Sequence, residues 1–315
     1  MPSWIRTRRA PVADTAVDTL ATVLAEVRKI ELAAGRLVTD VLSGGFRSTF
    51  RGTGVEFSDV REYVEGDDPR AVDWNVTARL GRPFVKRFVE ERERTLVFVL
   101  DLAAGMAGSF GAWSLRQLAS RFLACLCTMA IANHDRVGSC LGTAGSHRLV
   151  LPKKGPGHVL RVLRDCIERP LDAGPSALDA LLGTVAARLR RRCVVFVLSD
   201  FAGSTPLQAL PTCARHHDVV AVRLWPHELR SPPSGLLPVV DAASGQRTWI
   251  DFAAPSVREA WSRRVQQWDA HRRDEFGRAG VDCIDLEVPA APDLDAVVQP
   301  LARFFRRRAR RQEHR

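Results

Sequence analysis

Two stretches of the chain break the usual alternation of polar and apolar positions. Arg94 to Asp101 (RTLVFVLD) and Cys193 to Asp200 (CVVFVLSD) are continuous apolar runs, each closed by an aspartate. Such runs predict strands covered on both faces, the situation in the middle of a parallel sheet. Between and after them the period changes. A helix is expected from about Trp113 to Asn133, amphipathic at Leu115, Leu118 and Phe122 and then apolar nearly all round, which implies deep burial. Arg136 to Gly142 and His147 to Leu151 read as a hairpin at a sheet edge. Helices follow near 156–168 and 177–190, another around 205–217, and a strand from Asp218 to Leu224.

Pro226 to Pro238 reads as a proline-rich loop, and Val239 to Asp251 as a hairpin turning at Ser244 and Gly245. Ser256 and Glu259 are spaced as a capping box opening a helix to about Arg278, followed by a strand from Val281 to Val288 and a basic C-terminal helix. At the other end, apolar residues from Val17 through Leu20, Leu24, Val27, Ile30, Ala34 and Leu37 to Val41 predict one long helix over 14–42. Asp14 or Thr15 would cap it, and Gly44 with Gly45 would end it. That stripe fits packing on the protein's own body, and its spacing also fits a heptad seam for a second chain. The alternation of strands and helices specifies an α/β fold, doubly wound around a mostly parallel sheet. The pattern divides the chain into 1–43, a basic segment and long helix; 44–93, a charged β-rich insertion; 94–290, the α/β domain; and 291–315, a basic helix or tail.

Composition narrows the classes. At 315 residues and 46% hydrophobic content, core material is ample. The longest nearly uncharged apolar run, Phe122 to Ala132, falls short of the ~20 residues of a membrane span, and no apolar run follows the basic N-terminus, so a soluble cytoplasmic protein is expected. Seven cysteines with no C-x-x-C pair point to buried reduced thiols and not to a disulfide framework or zinc site. The net charge of +10 is terminal. Arg303 to Arg315 carries seven arginines and one glutamate, and Arg6, Arg8 and Arg9 add three more charges, leaving the body near +1. A solvated helix end is one reading of the tail; an acidic protein, anionic lipid or nucleic acid as its partner is the other.

The segment Gly44 to Asp101 is dense in both signs of charge, yet Phe46, Phe50, Phe57, Tyr63, Trp74, Phe84 and Phe88 are threaded through it. A merely solvated run would not carry this aromatic load, so the segment is read as folded, with its carboxylates and guanidiniums paired. Gly52 and Gly54 form a lone G-x-G, better read as a turn than as a phosphate loop, and G-x-x-x-x-G-K-[ST] does not occur. The run RGTGVEFSDVREYVEGDDPRAVDWNVTARLGRPFVKRFVEERE, followed by a strand ending in Asp101, closely resembles the bacterial domain-of-unknown-function family numbered 58. The resemblance implies a von Willebrand factor A-like, Rossmann-type domain joined to this segment, and an association with MoxR-type AAA+ ATPases.

In an open parallel sheet ligands bind where the carboxyl ends of the strands converge, and Asp101 and Asp200 stand at two such ends. Von Willebrand factor A-like domains place there a D-x-S-x-S loop, a separate threonine and a later aspartate around Mg²⁺ or Mn²⁺. The resemblance maps the first aspartate to Asp101, the threonine to Ser176 and the later aspartate to Asp200, but Ala103 and Gly105 replace both serines. Three readings stay open: a degenerate metal site, a metal-free edge that still contacts a partner, and carboxylates satisfied by loop amides. Ser109 has no histidine close in sequence, His216 and His217 are expected at the surface, and His134 is expected to cap a helix end.

The functional expectation is therefore a non-enzymatic interaction module. It would dock a partner through Asp101 and Asp200, with Arg61, Asp67, Asp68, Arg70, Asp73, Trp74 and Arg79 as a second specificity surface. The resemblance implies that a MoxR-type ATPase is the partner, in chaperone-like maturation or assembly of a client complex. A metal-dependent hydrolase using Asp101, Asp200 and Asp73 is an alternative, and nucleic-acid binding through the arginine-rich tail comes last.

Overall fold

The computed structural model describes residues 5–7, 19–33, 56–64, 67–89, 94–109, 111–143, 145–171, 176–202, 206–241 and 244–313. They fall into two compact units, 50–94 and the remainder of the chain. In chain order the elements are β1 (Ile5–Thr7), α1 (Leu20–Ala33), β2 (Glu56–Glu62), α2 (Trp74–Leu80), β3 (Phe84–Val89), β4 (Thr95–Asp101), α3 (Leu115–Ala132), β5 (Arg136–Gly142), β6 (His147–Lys153), α4 (Pro156–Glu168) and α5 (Leu178–Arg188). They continue with β7 (Val194–Ser199), α6 (Leu210–His216), β8 (Asp218–Trp225), α7 (His227–Arg230), β9 (Leu236–Asp241), β10 (Arg247–Asp251), α8 (Pro255–Ala279), β11 (Asp282–Glu287) and α9 (Asp295–Glu313).

The larger unit is built on a six-stranded sheet in the order β11-β8-β7-β4-β5-β6. All neighbours run parallel except β5 and β6, which form the predicted edge hairpin. The two uninterrupted apolar runs became the two central strands. Val97, Val99, Val195 and Val197 point to one face, where Leu181, Leu182 and Val185 of α5, Cys213 of α6 and Phe276 of α8 cover them. Phe98 and Phe196 point to the other, their rings 6.1 Å apart, with Phe122 of α3 edge-on to Phe196 at 6.0 Å. Helix α3 is long and apolar enough to cross a membrane by length and composition, and 72% of it is buried inside the fold.

Several expectations are corrected. The N-terminal helix, expected from residue 14, begins at Leu20, where the Thr19 hydroxyl accepts from the Thr22 amide; its expected end at Gly44 lies outside the described residues. Val23 is buried and Glu26 pairs with the buried Arg121 of α3, so the described stripe packs on the body. Residues 1–15, read only as a basic segment, contribute β1, which pairs with β9 and makes a three-stranded sheet with β10. Three residues are too few to show a period. The proline-rich loop is shorter than expected, because α7 and the start of β9 fall inside it. Ser256 does not cap α8: Pro255 occupies the first helical position and Ala254 precedes it without a side-chain bond. A capping box does open α3, where Ser114 and Gln117 exchange side-chain and backbone bonds.

His217 is buried, not at the surface, and desolvation holds its imidazole below the ordinary range. His134 does not cap with its ring; it takes the left-handed conformation, φ 54°, and the Asn133 amide bonds the Met129 carbonyl instead. Nor is the basic tail simply a solvated helix end. Phe304 and Phe305 of α9 are buried, and Arg308 bridges Asp218 of β8 and Asp282 of β11. A helix whose apolar face belongs to the core brings its arginines against the strand ends it covers.

Among its described residues the smaller unit is a hairpin with a helix inside its connection. β2 and β3 pair antiparallel with an irregularity between Phe57 and Asp59. Asp73 caps α2 by accepting from the amides of Asn75 and Val76, and Gly81, at φ 70°, ends it in the left-handed conformation that glycine adopts without strain. The turn expected at Gly52 and Gly54 lies outside the described residues.

Candidate functional site at the carboxyl rim of the sheet

Counted from β4, the sheet has the doubly wound order 3-2-1-4-5-6, with β4 as the first strand and β7 as the fourth. The winding reverses between these two. The connections leaving them go to opposite faces, and a crevice opens at their carboxyl ends. This is where the chain puts its aspartates: Asp101 is the last residue of β4, and Asp200 directly follows β7. Leu100 pairs with Leu198, so Asp101 and Ser199 stand level across the switch point.

Asp101 is 1% exposed, and its carboxylate is met by donors from three segments. Oδ1 accepts from the Ala103 amide at 3.1 Å. Oδ2 accepts from the Ser199 hydroxyl at 3.2 Å and from the Ser176 hydroxyl, while the Ala177 amide adds another bond. Burial pushes the carboxyl above its ordinary range even so; bonds from Ser176, Ala103, Ser199 and Ala177 pull the other way without cancelling the desolvation. Ser176 is itself exposed, and its oxygen also accepts from the Leu178 amide at the start of α5, tying that helix to Asp101.

Asp200 is the more open of the pair. It is half-buried, with Oδ1 taking the Ala202 amide at 3.0 Å and the Ser199 hydroxyl at 3.4 Å. The single hydroxyl proton of Ser199 therefore serves two carboxylates, while its oxygen accepts from the Phe201 amide at 3.0 Å. Phe201 has φ 51°, a left-handed backbone that disfavours a residue with a Cβ by ~1–2 kcal/mol. Its ring holds the turn in place by packing edge-on to Phe276 at 5.1 Å. The sequence reading missed Ser199 and Phe201, although one hydroxyl at the end of the run VVFVLS was a legible signal.

These residues do not fit an octahedral divalent ion. Such an ion takes a full shell of hard oxygens. Here Ala103 and Gly105 offer no side-chain oxygen, the Ser176 hydroxyl is turned into Asp101, and the Asp101 oxygens are already bonded. Among the described residues no group of three His, Cys, Asp or Glu side chains converges anywhere.

The remaining predicted site residues belong to the smaller unit. Arg61 pairs with Asp67 at 2.6 Å, and Asp67 also accepts from the Val64 amide, an arrangement that lowers its carboxyl through the Arg61 bond first and the Val64 amide second. Asp73 is the helix cap just described, so it is a structural part of this unit whatever else it contacts. Asp68 and Arg79 are exposed, as is Trp74 at 71%, an unusual placement for an indole. The Arg70 side chain lies outside the described residues.

A doubly wound, mostly parallel sheet with an antiparallel edge strand, and a rim made of an aspartate after its first strand, a hydroxyl before α5 and a Ser-Asp pair after its fourth, defines an α/β domain of the Rossmann-like class. The chain belongs to the family described as Protein of unknown function DUF58, which matches residues 59–271. It is 29% identical to Uncharacterized protein Mb1516 of Mycobacterium bovis over 259 residues, 79% of either chain. Among solved structures, it is similar to the conserved hypothetical protein BatB from Bacteroides thetaiotaomicron at 11% identity and a TM-score of 0.39, covering 69% of this chain and 99% of that one. The SpRpn10 VWA domain gives 11% identity and a TM-score of 0.37 over 66% and 94%.

Proposed function

We propose that this protein is a non-enzymatic, cytoplasmic interaction module that docks a partner on the rim formed by Asp101, Ser176, Ser199 and Asp200. The observation that carries this reading is the switch-point placement. The buried Asp101 organises three segments by accepting from each, and the rim leaves Asp200 half-open to an approaching donor. A bonding pattern spent on holding loops in place suits presentation of a surface better than turnover of a substrate.

The partner we assign is a MoxR-type AAA+ ATPase, working with this chain in the chaperone-like maturation or assembly of a client complex. The exposed Trp74 and Arg79, with the Arg61–Asp67 pair, would give a second surface for the same partner or its client. The assignment is tested by co-purification of the tagged full chain with the MoxR-type ATPase of the same genome, with ATP, with ADP and without nucleotide. Retention by wild type and a loss of fivefold or more in Asp200→Asn are expected, since that change removes charge yet leaves Oδ1 to accept the Ala202 amide. If wild type never retains the ATPase, the partner is wrong; equal retention by Asp200→Asn rules out the rim.

A further inference from the structure

Two strands from Asp101 the six-stranded sheet ends on β6, and among the described residues no strand pairs with its outer edge. An unpaired edge offers a row of backbone donors and acceptors, and proteins usually blunt it. Here the blunting is confined to one end, where Pro152 removes a donor and Lys153 follows. The five residues before them, His147 to Leu151, are open.

Beside that open stretch lies a groove of about 740 Å³ between β6 and α5. His147, Leu149 and Leu151 line it from the strand, at the two-residue spacing that puts alternate side chains on one face. From the helix, Ala180, Gly183 and Ala187 face them, and these small residues leave the space unfilled. Leu151 is 54% exposed in consequence. At one end Thr184 bonds His147 at 2.9 Å; Arg188 also lines the groove.

The charged side chains on β6 and in the groove wall, Arg148, Lys153 and Arg188, are exposed cations, and the one acid of α5, Asp179, accepts from the Ala209 amide at 2.7 Å. Arg148 and Lys153 lie on β6 itself. Two copies pairing edge to edge would bring these cations together, which disfavours a second copy of the chain as the occupant.

We infer that β6 and α5 form a docking groove for an extended acidic peptide, which adds as a seventh strand, places alternate aliphatic side chains against Leu149 and Leu151, and sets its carboxylates on the opposite face of the sheet, beside Arg148. Strand addition draws affinity from the backbone and selectivity from the alternate side-chain sites. The site is separate from the aspartate rim and does not rest on the assignment made there.

The test uses the full-length protein and a fluorescein-labelled octapeptide of alternating glutamate and valine, read by anisotropy. Saturable binding is expected. It should weaken tenfold or more in Arg148→Glu, in Gly183→Leu, and when the peptide backbone is N-methylated at alternate residues. Gly183→Leu adds a side chain at a groove-lining helical position where the new Cβ meets only Ala209 Cβ, at 3.8 Å, so the backbone need not shift to admit it, and a thermal melt checks that the fold is retained. Absence of saturable binding overturns the proposal. So does binding indifferent to Gly183→Leu, which would put the peptide elsewhere on this basic chain, or indifferent to N-methylation, which would make it charge attraction without strand pairing. A concentration-dependent dimer abolished by Gly183→Leu would make a second copy the occupant and end the proposal equally.

Discussion

Arg223 gives the sharpest test of how the switch-point rim is supported. It lies on β8, level with Ser199 of β7 and with Asp285 of β11, and its side chain is 0% exposed. Nε donates to Asp285 at 2.7 Å and Nη1 to Asp269 at 2.6 Å, with the Trp225 ring 4.9 Å away. Burial pushes the Asp285 carboxyl up, but the bond and charge of Arg223, with Arg273 and the Trp225 indole, outweigh it and bring it down to about 2. Arg223→Met keeps volume and removes the charge. Breaking a buried pair by deleting one partner costs about 3–5 kcal/mol. The two aspartates are 27% and 32% exposed, and Arg223 Nη2 is buried without a partner, so the low end, about 3 kcal/mol, is expected at pH 7.

The pH dependence follows from the sign of the shift. A carboxyl depressed from 3.8 to about 2 contributes stability that is present above pH ~4 and lost as pH falls towards 2. At full strength that shift corresponds to roughly 2.4 kcal/mol, and solvent screening at a site about one-third exposed reduces it to ~2 or less. Urea titrations of wild type and Arg223→Met should therefore differ by a constant amount from pH 5 to 7, with the gap narrowing by roughly 1 kcal/mol by pH 2.5. A gap under ~1 kcal/mol at pH 7, or one identical at pH 3 and pH 7, would refute the reasoning.

Asp101 has the opposite sign. Its carboxyl is raised by burial, so wild type loses stability as pH climbs above the ordinary carboxylate value, and Asp101→Asn, which has nothing to ionise, should gain relative to wild type from pH 4 upward; a flat difference in urea midpoints would contradict this. Truncation after Ala302 removes the buried Phe304 and Phe305, about 1.5–3 kcal/mol each, together with the Arg308 bridge. Against a total of ~5–15 kcal/mol, the truncated chain should melt far lower or fail to fold, whereas an unchanged melting temperature would return the tail to the role of a solvated arm.

What was legible in the sequence was whatever depends on local pattern. Continuous apolar runs closed by Asp101 and Asp200 specified buried parallel strands and their polarity, because a strand with no polar side has to be covered on both faces. The edge hairpin, helix α3 and the β8 strand followed from period and turn signals in the same way, and the family followed from one long charged motif. The order of the strands did not follow, and with it went the site. Only tertiary structure set β4 beside β7, aimed the Ser176 hydroxyl across 75 positions at Asp101, and buried Asp101 while leaving Asp200 half-open. It also turned His217 inward, paired Ile5–Thr7 with a strand more than 230 residues away, and drew Arg308 onto Asp218 and Asp282. A contact between residues far apart in the chain leaves no period in either segment: each side chain is chosen for a neighbour that only the fold supplies.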